Sequence, residues 1–457
     1  MSFEWQDTTL GQICAAQGGA IQTGPFGSQL HTSDYKEFGI PVVMPTNIGD
    51  GGIVEDGIAR ISEADVERLA QHKLRMGDIV FSRRGDVTKN ALIRPHEVGW
   101  FCGTGCLKVR LGDETVATAK FISHCLRLPD IKDWLVRHAV GATMPNLNTG
   151  ILSAVPIYLP PLQTQLEIAE ILGALDDRIT LLRETNTTLE AIAQALFKSW
   201  FVDFDPVRAK MARRSREGGN PEAGGACDAL DLRLRGNDGT GMDEATAALF
   251  PDGFEESELG LVPRGWRVKP LDDVANFLNG LALQKFPPTD DAWLPVIKIA
   301  QLRKGDTVGA DRAGRNLKPE YVIQNGDVLF SWSGSLEVEV WCGGEGALNQ
   351  HLFKVTSDKY PKWFYYLWTK HHLEHFRQIA ASKATTMGHI QRAHLSQAKV
   401  VVPPDDFVSA VGECFGPLLD RWIATALQAQ TLATLRDTLL PRLISGQLRL
   451  PEPCRSG

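Results

Sequence analysis

Apolar side chains recur in alternating steps of four and three residues along two long segments of the chain. In the first segment the repeating positions run from Ile168 to Leu196, and Asn186 is their single polar member. The same nine positions shifted by 243 residues run from Val411 to Leu439, and seven of them are apolar. This spacing predicts two long helices that pack along a heptad seam, in which a buried Asn186 would help to set the register. We expect the helix packing to be made by Leu175, Ile179, Leu182, Asn186, Leu189, Leu196, Leu418, Trp422, Leu432 and Leu439.

The offset of 243 residues also relates the segments that precede the two predicted helices. Thr143-Met144 aligns with Thr386-Met387, and Pro160-Pro161 aligns with Pro403-Pro404. Each copy therefore passes from a globular segment, through a Pro-Pro break, into a long helix. A duplicated unit of this kind predicts a protein that holds two similar heads at a set distance from each other.

Both heads show short apolar runs separated by Gly, Pro, Asn and Asp, which is typical of a mixed α/β domain. A Gly-Asp pair precedes one run in each head and predicts a tight turn there. The strand-like runs are Ile40–Met44, Asp78–Phe81 and Cys106–Arg110 in the first head, and Leu294–Ile297 and Gly326–Ser331 in the second. The helical patterns are Glu63–Leu69, Ala119–His138 and Lys362–Ile379. The aromatic run Trp363–Trp368 is predicted to lie in the core of the second head.

These patterns predict a mixed α/β fold with a pseudo-twofold internal repeat, in which two similar α/β domains are separated by two long coiled-coil helices that pack on each other. Residues 207–262 are rich in Gly and charge and have no counterpart in the first copy, so they are predicted to be a flexible linker or insert. The predicted boundaries are 1–161 for the first domain, 162–206 for the central helix, 207–262 for the insert, 263–404 for the second domain, 405–448 for the C-terminal helix and 449–457 for the tail.

Charge is distributed unevenly along the chain. The formal net charge is −7, which argues weakly against nonspecific coating of nucleic acid. Two segments are nevertheless basic: Lys73 to Arg110 has eight Lys or Arg against three Asp or Glu, and Thr369 to Lys399 has five against one. A solvated face would explain either segment alone, but a basic segment in both heads indicates an anionic ligand.

The motif content favours a noncatalytic chain. There is no Gly-Lys dipeptide for a Walker-type phosphate loop, no Asn/Asp-Pro-Pro-aromatic motif of an amino-group DNA methyltransferase, and no Glu-x-Lys of a common nuclease motif. Cys102 and Cys106, with His124-Cys125 downstream, lack the usual spacing of structural zinc, so buried thiols are expected there. The lack of a membrane-length apolar run or a signal-peptide pattern predicts a cytoplasmic protein.

Short motifs along nearly the whole chain, apart from the insert, together resemble one known family. They are Thr23–Ser28, Gly77–Asp86, Trp100–Cys106, Gly141–Thr149, Leu175–Ile179, Asn186–Glu190, Leu196–Pro206 and Leu439–Gly446. In this combination they resemble the DNA-specificity subunit of a Type I restriction-modification system.

The resemblance implies that each domain reads one half of a split, asymmetric site in double-stranded DNA. The two long coiled-coil helices would be packed antiparallel and would serve as a ruler and as the docking surface for two methyltransferase subunits. Restriction motor-nuclease subunits would join the complex. S-adenosylmethionine, ATP and magnesium would act in these partner subunits, while this chain would hold no cofactor or metal of its own.

Side chains at equivalent places in the two heads would then read different bases, because Arg can contact guanine and Asn adenine, whereas Lys and Thr more often contact phosphate. The residues expected to face DNA are Arg83, Arg84, Lys89, Asn90, Asn146 and Asn148 in the first head, and Gln284, Lys285, Ser333, Lys383, Thr386, His389 and Arg392 in the second.

The alternative is a noncatalytic coiled-coil scaffold with two protein-binding heads, which explains the duplication and the seam but not the paired basic segments. A fused single-chain nuclease or methyltransferase is the third reading, and the missing motifs argue against it. A protein complex that ignores DNA would favour the scaffold, and methyl transfer or cleavage by the isolated chain would favour the enzyme.

Overall fold

The chain is described by a computed structural model that covers residues 5–49, 51–141, 143–217, 244–289, 291–382 and 388–450. It forms two compact units, one made of the residues up to Ile179 together with those from Leu432 onward, the other of Thr180–Thr431. Among the described residues, no helix combines the length and the apolar character needed to cross a membrane.

The first unit contains two four-stranded sheets and a separate strand pair. Its strands are β1 (Gln6–Thr9), β2 (Gly18–Thr23), β3 (Tyr35–Lys36), β4 (Ile40–Val43), β5 (Ala59–Ile61), β6 (Ile79–Ser82), β7 (Asn90–Leu92), β8 (Phe101–Cys102), β9 (Cys106–Gly112) and β10 (Pro156–Leu159). The orders are β2-β9-β6-β7, β3-β5-β4-β8 and β1-β10. Neighbouring strands are antiparallel, except that β4 and β8 are parallel.

Five short helices pack on the sheets of the first unit. They are α1 (Leu10–Ala16), α2 (Glu63–Arg68), α3 (Ala119–Cys125), α4 (Pro129–His138) and α5 (Thr149–Ser153). The helix α2 packs on the β3-β5-β4-β8 sheet, and the other four enclose the main core on the β2-β9-β6-β7 sheet. The predicted helix over Ala119–His138 is divided in two, because Pro129 cannot continue a helix and instead occupies the first turn of α4. Phe121, Ile122 and Leu135 are buried against the sheet residues Phe81 and Leu107.

The second unit repeats this arrangement. Its strands are β11 (Phe254–Ser257), β12 (Gly260–Pro263), β13 (Arg267–Pro270), β14 (Asn276–Asn279), β15 (Trp293–Ile297), β16 (Arg312–Gly314), β17 (Val322–Ile323), β18 (Val328–Ser331), β19 (Val338–Val340), β20 (Gly346–Leu348), β21 (Leu352–Thr356) and β22 (Lys399–Val402). The sheet order β14-β21-β18-β19 matches β2-β9-β6-β7, and the pair β13-β22 matches β1-β10. In the remaining sheet, β15 and β20 form the one parallel pair, as β4 and β8 do.

The predicted Gly-Asp turn is present in both heads. Gly77 and Gly326 have φ of +78° and +88°, a region that a side chain would make costly. The Asp78 carboxylate accepts a hydrogen bond from the Arg75 backbone N–H at 2.8 Å, and Asp327 accepts one from the Gln324 N–H at the same distance. The same turn therefore leads into β6 and β18.

Two long helices follow the heads. The helix α6 (Leu162–Phe197) continues through a π-helical turn (Lys198–Val202), and the last helix covers Asp405–Ile444. Between them in chain order lie α7 (Asp205–Glu217), α8 (Glu244–Leu249), α9 (Leu271–Val274), α10 (Ile299–Lys304), α11 (Lys362–Ser382) and α12 (Arg392–Gln397), so the last helix is α13. The aromatic run Trp363–Trp368 lies on α11 and is buried in the core, as predicted.

The heptad seam is formed in both units. In the first unit, Ile168 and Leu172 near the start of α6 share a buried cluster with Leu440 and Leu443 near the end of α13. In the second unit, residues near the end of α6 pack with residues near the start of α13, including Phe415. The two helices therefore run antiparallel. The seam comprises the nine heptad positions from Ile168 to Leu196 and the nine from Val411 to Leu439, and none of these residues is exposed.

The polar seam residue Asn186 is paired. Its Oδ1 accepts a hydrogen bond from the hydroxyl of Thr425, which is one of the two polar residues of the second seam. A lone polar residue in such a seam favours the one register that satisfies it. Asn186 and Thr425 therefore specify which turns of the two helices lie side by side within the second unit.

The predicted flexible linker is wrong for its described residues. Residues 207–217 belong to α7, and residues 244–262 contribute α8 and most of an antiparallel hairpin of β11 and β12. Val207, Phe250 and Val262 are buried in the main core of the second unit. The Phe250 ring lies 4.9 Å from that of Phe407, so these residues are part of the packed domain. Residues 218–243 lie outside the described residues.

Candidate nucleic-acid interface

The predicted ligand-facing residues of the first head gather where β6 ends. The Arg83 N–H donates to the Gly105 carbonyl at 2.8 Å, and the Leu147 N–H donates to the Arg83 carbonyl at 2.9 Å. Arg84 and Asn146 form an isolated antiparallel bridge. The segment after β6 is thus hydrogen-bonded to a loop more than 60 residues away in sequence. We call the surface formed by 83–89, 140–141 and 143–148 the first edge.

The cationic side chains of the first edge lack acidic partners. Arg83 is half-buried and its Nε donates to Asn146 Oδ1 at 3.3 Å, whereas Arg84 and Lys89 are exposed. Throughout the described part of the chain, none of these three forms a salt bridge. Other basic residues of the same head do, for example Arg110, which lies 2.6 Å from Asp78. Unpaired, accessible cations favour an anionic ligand at this edge.

The amide side chains of the first edge have different roles. Asn146 is half-buried and receives the hydrogen bond from Arg83. Asn148 is exposed and is the N-cap of α5, because its Oδ1 accepts from the Ile151 N–H at 2.8 Å. Each leaves its amide nitrogen available, since the described contacts use only Oδ1.

The prediction is wrong for Asn90. Its side chain is only 2% exposed, and its Nδ2 donates to the carbonyls of Thr88 at 3.3 Å and Leu126 at 3.5 Å. Successive strand residues point to opposite faces, so the exposed Lys89 and the buried Asn90 cannot both face a ligand.

The second head repeats this frame with other side chains. The Ile390 N–H donates to the Trp332 carbonyl at 3.0 Å, and Ser333 forms an isolated antiparallel bridge with His389. These contacts correspond to Leu147 with Arg83 and to Arg84 with Asn146. We call the surface formed by 332–337, 349–351 and 388–390 the second edge.

The second edge holds an aromatic and hydrogen-bonded cluster in place of the arginines. The half-buried Trp332 donates its indole N–H to Asn279 Oδ1 at 3.0 Å and to the Gln350 carbonyl at 3.1 Å. Ser333 is 4% exposed, and its hydroxyl lies 2.9 Å from His351 Nδ1. The predicted direct ligand contact is therefore wrong for the Ser333 side chain, which instead positions His351.

The remaining predicted residues of the second head have separate positions. Gln284 and Lys285 are exposed on a 3-10 turn, Leu283–Lys285, that follows β14. His389 is exposed on the second edge. Arg392 is exposed at the start of α12, but its Nη2 also donates to the Phe277 carbonyl at 3.1 Å. The predictions for Lys383 and Thr386 fall outside the described residues.

Sequence reasoning missed His351 and Gln350. Both directly precede β21, which pairs with β18 as β9 pairs with β6. When the two heads are aligned by their sheets, this loop has the position that Gly105 has in the first head. The carbonyl of Gly105 accepts a hydrogen bond from the Arg83 N–H. A strand-by-strand alignment, rather than the 243-residue offset alone, would have found them.

Each head is joined to α6 by a cation, and the two cations are related by the repeat offset. In the first unit, Arg127 lies 2.6 Å from Asp176 on α6, and Arg436 on α13 lies 2.8 Å from the same carboxylate. Burial raises the pKa of Asp176, but the two arginines outweigh burial and hold that pKa below its ordinary value. His124 is 3.8 Å from this carboxylate, and burial lowers its pKa to about 4.

In the second unit, Lys370 occupies the place of Arg127. Its Nζ lies 3.0 Å from Glu190 on α6 and 2.9 Å from Glu339 on β19. Burial lowers the pKa of Lys370, but the two carboxylates outweigh burial and raise that pKa. The Tyr366 hydroxyl also donates to Glu190 at 3.3 Å. An ion pair thus anchors each head to the helix.

The part of the chain that the structure describes contains no group of three or more His, Cys, Asp or Glu side chains able to hold a metal ion. Cys102, Cys106 and Cys125 are buried free thiols, and burial raises the pKa of each. The thiols are therefore protonated near neutral pH and behave as small core side chains.

Comparison with known proteins gives consistent matches. A family model described as the Type I restriction modification DNA specificity domain matches residues 3–191 and 263–407. The Type I restriction enzyme HindI specificity subunit of Haemophilus influenzae is 27% identical over 443 residues, which are 89% of this chain and 95% of that protein. The MjaIX specificity subunit of Methanocaldococcus jannaschii is 23% identical over 343 residues, 73% of this chain and 70% of that protein.

A solved structure supports the same fold. The Type-I restriction-modification system S subunit from M. genitalium superposes with a TM-score of 0.52 at 14% sequence identity, over 97% of this chain and 96% of that one. The family model covers more than half of the chain, in two copies that contain the two heads. The chain therefore belongs to the family of Type I restriction-modification DNA specificity proteins.

Proposed function

We propose that this chain determines which DNA sequence a Type I restriction-modification complex recognises, and that the recognised site is split and asymmetric. The first head reads one half-site through the first edge, and the second head reads the other half-site through the second edge. The observation that carries the proposal is the shared backbone frame with unlike side chains, arginine in one head and tryptophan, serine and histidine in the other.

The chemistry of the edges supports two different half-sites. Arg83 and Arg84 have the donors for bidentate contact with guanine, and the free amide nitrogen of Asn146 can donate to a base acceptor. Lys89 contacts phosphate and sets the position of the head. In the second head, His389 on the second edge and the exposed Gln284 on the 3-10 turn present hydrogen-bonding groups, while Lys285 on that turn contacts the backbone of the DNA.

The two long helices hold the methyltransferase subunits. Large apolar side chains are exposed along α6, and exposed apolar residues on a helix are typical of a surface that a partner covers. They are Leu166, Ile171, Leu181 and Ile192, which are between 38% and 50% exposed.

The chain itself is noncatalytic. S-adenosylmethionine, ATP and magnesium act in the methyltransferase and motor-nuclease subunits, which join it on double-stranded DNA.

Methylome sequencing tests this function. A host that expresses the chain with its cognate methyltransferase subunit is compared with a host that lacks only this chain. We expect one new split adenine-methylated motif that depends on the chain. The matched variant Arg83→Ala/Arg84→Ala should alter one half of that motif and leave the other half unchanged. A stable complex with the methyltransferase that produces no new motif would contradict the proposal and favour the protein-binding scaffold.

A further inference from the structure

The first edge carries a hairpin whose tip is apolar and exposed. The Val140 N–H donates to the Asn146 carbonyl at 3.0 Å, and the Asn146 N–H returns a bond to the Val140 carbonyl at 2.9 Å. These reciprocal bonds close the short hairpin. Met144 at its tip is 61% exposed and Val140 is 63% exposed, although most large apolar side chains of this head are buried.

The backbone holds Met144 in a defined place. Gly141 has φ of +110°, and a Cβ on this residue would lie 2.6 Å from the Met144 carbonyl oxygen, so the turn requires glycine. Asn146 is fixed in turn by its bridge to Arg84 and by the hydrogen bond from Arg83. Met144 therefore lies two residues before Asn146, which is held by hydrogen bonds, and on the same edge as the unpaired cations.

A second exposed apolar side chain lies at the same end of the sheet. Thr23 at the end of β2 and Phe81 near the end of β6 both pair with Leu107 of β9. Because β2 and β6 both run antiparallel to β9, the loops that follow them leave the sheet at one end. The first of these loops carries Phe26, which is 57% exposed. The cations of the first edge are thus accompanied by apolar groups.

We propose that Met144 contacts the C5-methyl group of a thymine in the half-site read by the first head, and so distinguishes a T·A pair from a C·G pair. This inference rests on the proposed function. The unpaired cations select a polyanion as the occupant of this edge, and the thymine methyl is the apolar group that the major groove of DNA offers. Methionine suits such a contact because its unbranched, polarisable side chain adapts to the surface it meets.

The test removes one methyl group from the DNA. Each thymine of the first half-site is replaced in turn by deoxyuridine, and the affinity of the complex of this chain with its methyltransferase is measured by titration. We expect one replacement to weaken binding of the unaltered complex about fourfold, the effect of burying one methyl-sized group. Met144→Ala should abolish this sensitivity at that position, and Met144→Leu should retain it.

Two matched controls isolate the effect. Met76 is 60% exposed in the same head but lies just before β6, at the opposite end of the sheet, so Met76→Ala should leave the deoxyuridine sensitivity unchanged. Deoxyuridine replacement in the second half-site should affect Met144→Ala and the unaltered chain equally. Thermal unfolding of both methionine variants shows that each is folded.

Several results would overturn the inference. They are unchanged sensitivity in Met144→Ala, no sensitive thymine in the first half-site, or a first half-site that contains no thymine on either strand. If one of these results is obtained while methylome sequencing still shows a split motif that depends on the chain, the proposed function remains intact. A complex that binds DNA without any sequence preference refutes the proposed function as well, so the two failures are distinguishable.

Discussion

At the scale of single residues, the two heads use one backbone position for different chemistry. Arg83 and Trp332 follow equivalent strands, and each gives its carbonyl to the backbone of the facing loop. Their side chains then differ in charge, size and hydrogen-bonding groups. Because the frame is satisfied by backbone atoms, the side chains at this position are free to vary without loss of the fold.

Arg83→Ala should change specificity more than general affinity. If Arg83 contacts a base directly, its removal should cost about 1–3 kcal/mol at one position of the first half-site. Lys89→Ala is the matched variant, and it should weaken binding to all sequences alike. It should also reduce the slope of log affinity against log salt concentration by about one, the effect of losing one phosphate contact. Titration of single-base variants of the site at two salt concentrations measures both effects. An unchanged motif and affinity for Arg83→Ala would exclude the contact.

The buried histidine of the first unit should make stability depend on pH. His124 is 6% exposed, and its burial lowers the pKa from an ordinary value of 6.5 to about 4. Between these pH values the unfolded chain binds a proton that the folded chain does not, so stability should fall as pH falls below 6.5 and level off below about 4. Urea unfolding at pH 7 and pH 5 checks this, because ordinary carboxyl groups remain largely ionised over that range.

His124→Gln is the control for this pH dependence, since glutamine is similar in size and does not titrate. The loss of stability between pH 7 and pH 5 should be smaller in the variant. His372 in the second unit is also buried with a pKa lowered to about 4, and it should keep part of the effect. Equal losses in the variant and the unaltered chain would refute the role of His124.

The sequence located the loops of the first edge but could not orient every side chain in them. Arg83, Arg84 and Asn146, which were each predicted to face DNA, lie together where β6 ends, although whether they contact DNA stays a prediction. Asn90 follows Lys89 directly, and both are polar, so no alternation of apolar and polar residues marks which side chain points inward. Ser333 could not be placed either, because its partner His351 comes from another strand.

At the scale of helices and strands, each head is attached to α6 by one cation at an equivalent position. Arg127 and Lys370 are separated by the same 243 residues that relate the two copies, and they pair with Asp176 and Glu190. The carboxylates themselves are not related by this offset. The duplication has therefore kept the position of the cation in the head while its partner on the helix differs.

Asp176→Ala should destabilise the first unit strongly. Arg127 and Arg436 both point at this carboxylate and their side chains are 7% exposed, so its removal would leave two buried cations without their shared partner. Breaking a buried ion pair in this way costs about 3–5 kcal/mol. Asp177→Ala removes a carboxylate from the next, exposed residue and should have little effect. Urea unfolding of Asp176→Ala and Asp177→Ala measures this difference. Similar unfolding midpoints for the two variants would show that the cluster contributes no net stability.

The elements that the sequence predicted best are those with a regular repeat. The heptad spacing of α6 and α13 extends over many turns, and every seam position is at least partly buried. The insert was misjudged because its few apolar residues, including Val207 and Phe250, show no period of their own. They are ordered by the aromatic side chains of other segments, such as Trp200 and Phe407, and such tertiary packing leaves no local pattern.

At the scale of the whole molecule, the compact units combine segments that are far apart in sequence. Each unit contains one head with part of α6 and part of α13, and the division falls after Ile179 in one helix and after Thr431 in the other. A linear division into head, helix, head and helix does not reveal this, because the helices continue without a break. The residues proposed for recognition are nevertheless different from those that pack the two long helices together, so we expect that the heads can be exchanged.

Replacing residues 263–404 by the corresponding head of a family member with a different second half-site should transfer that half-site alone. The ends of this head are suited to exchange, because Arg267 in β13 pairs with Val402 in β22 and the chain therefore enters and leaves the head side by side. The graft should retain a cation at position 370, since Glu190 of α6 remains in the recipient.

Methylome sequencing of hosts that carry the chimera measures the outcome. We expect the first half of the methylated motif to match that of the unaltered chain and the second half to match that of the donor. A chimera that lacks the cation at 370, made as Lys370→Met in the graft, should keep the same motif but lose thermal stability, because Glu190 loses the cation with which it forms an ion pair. A change in both halves of the motif would mean that the heads do not read DNA independently.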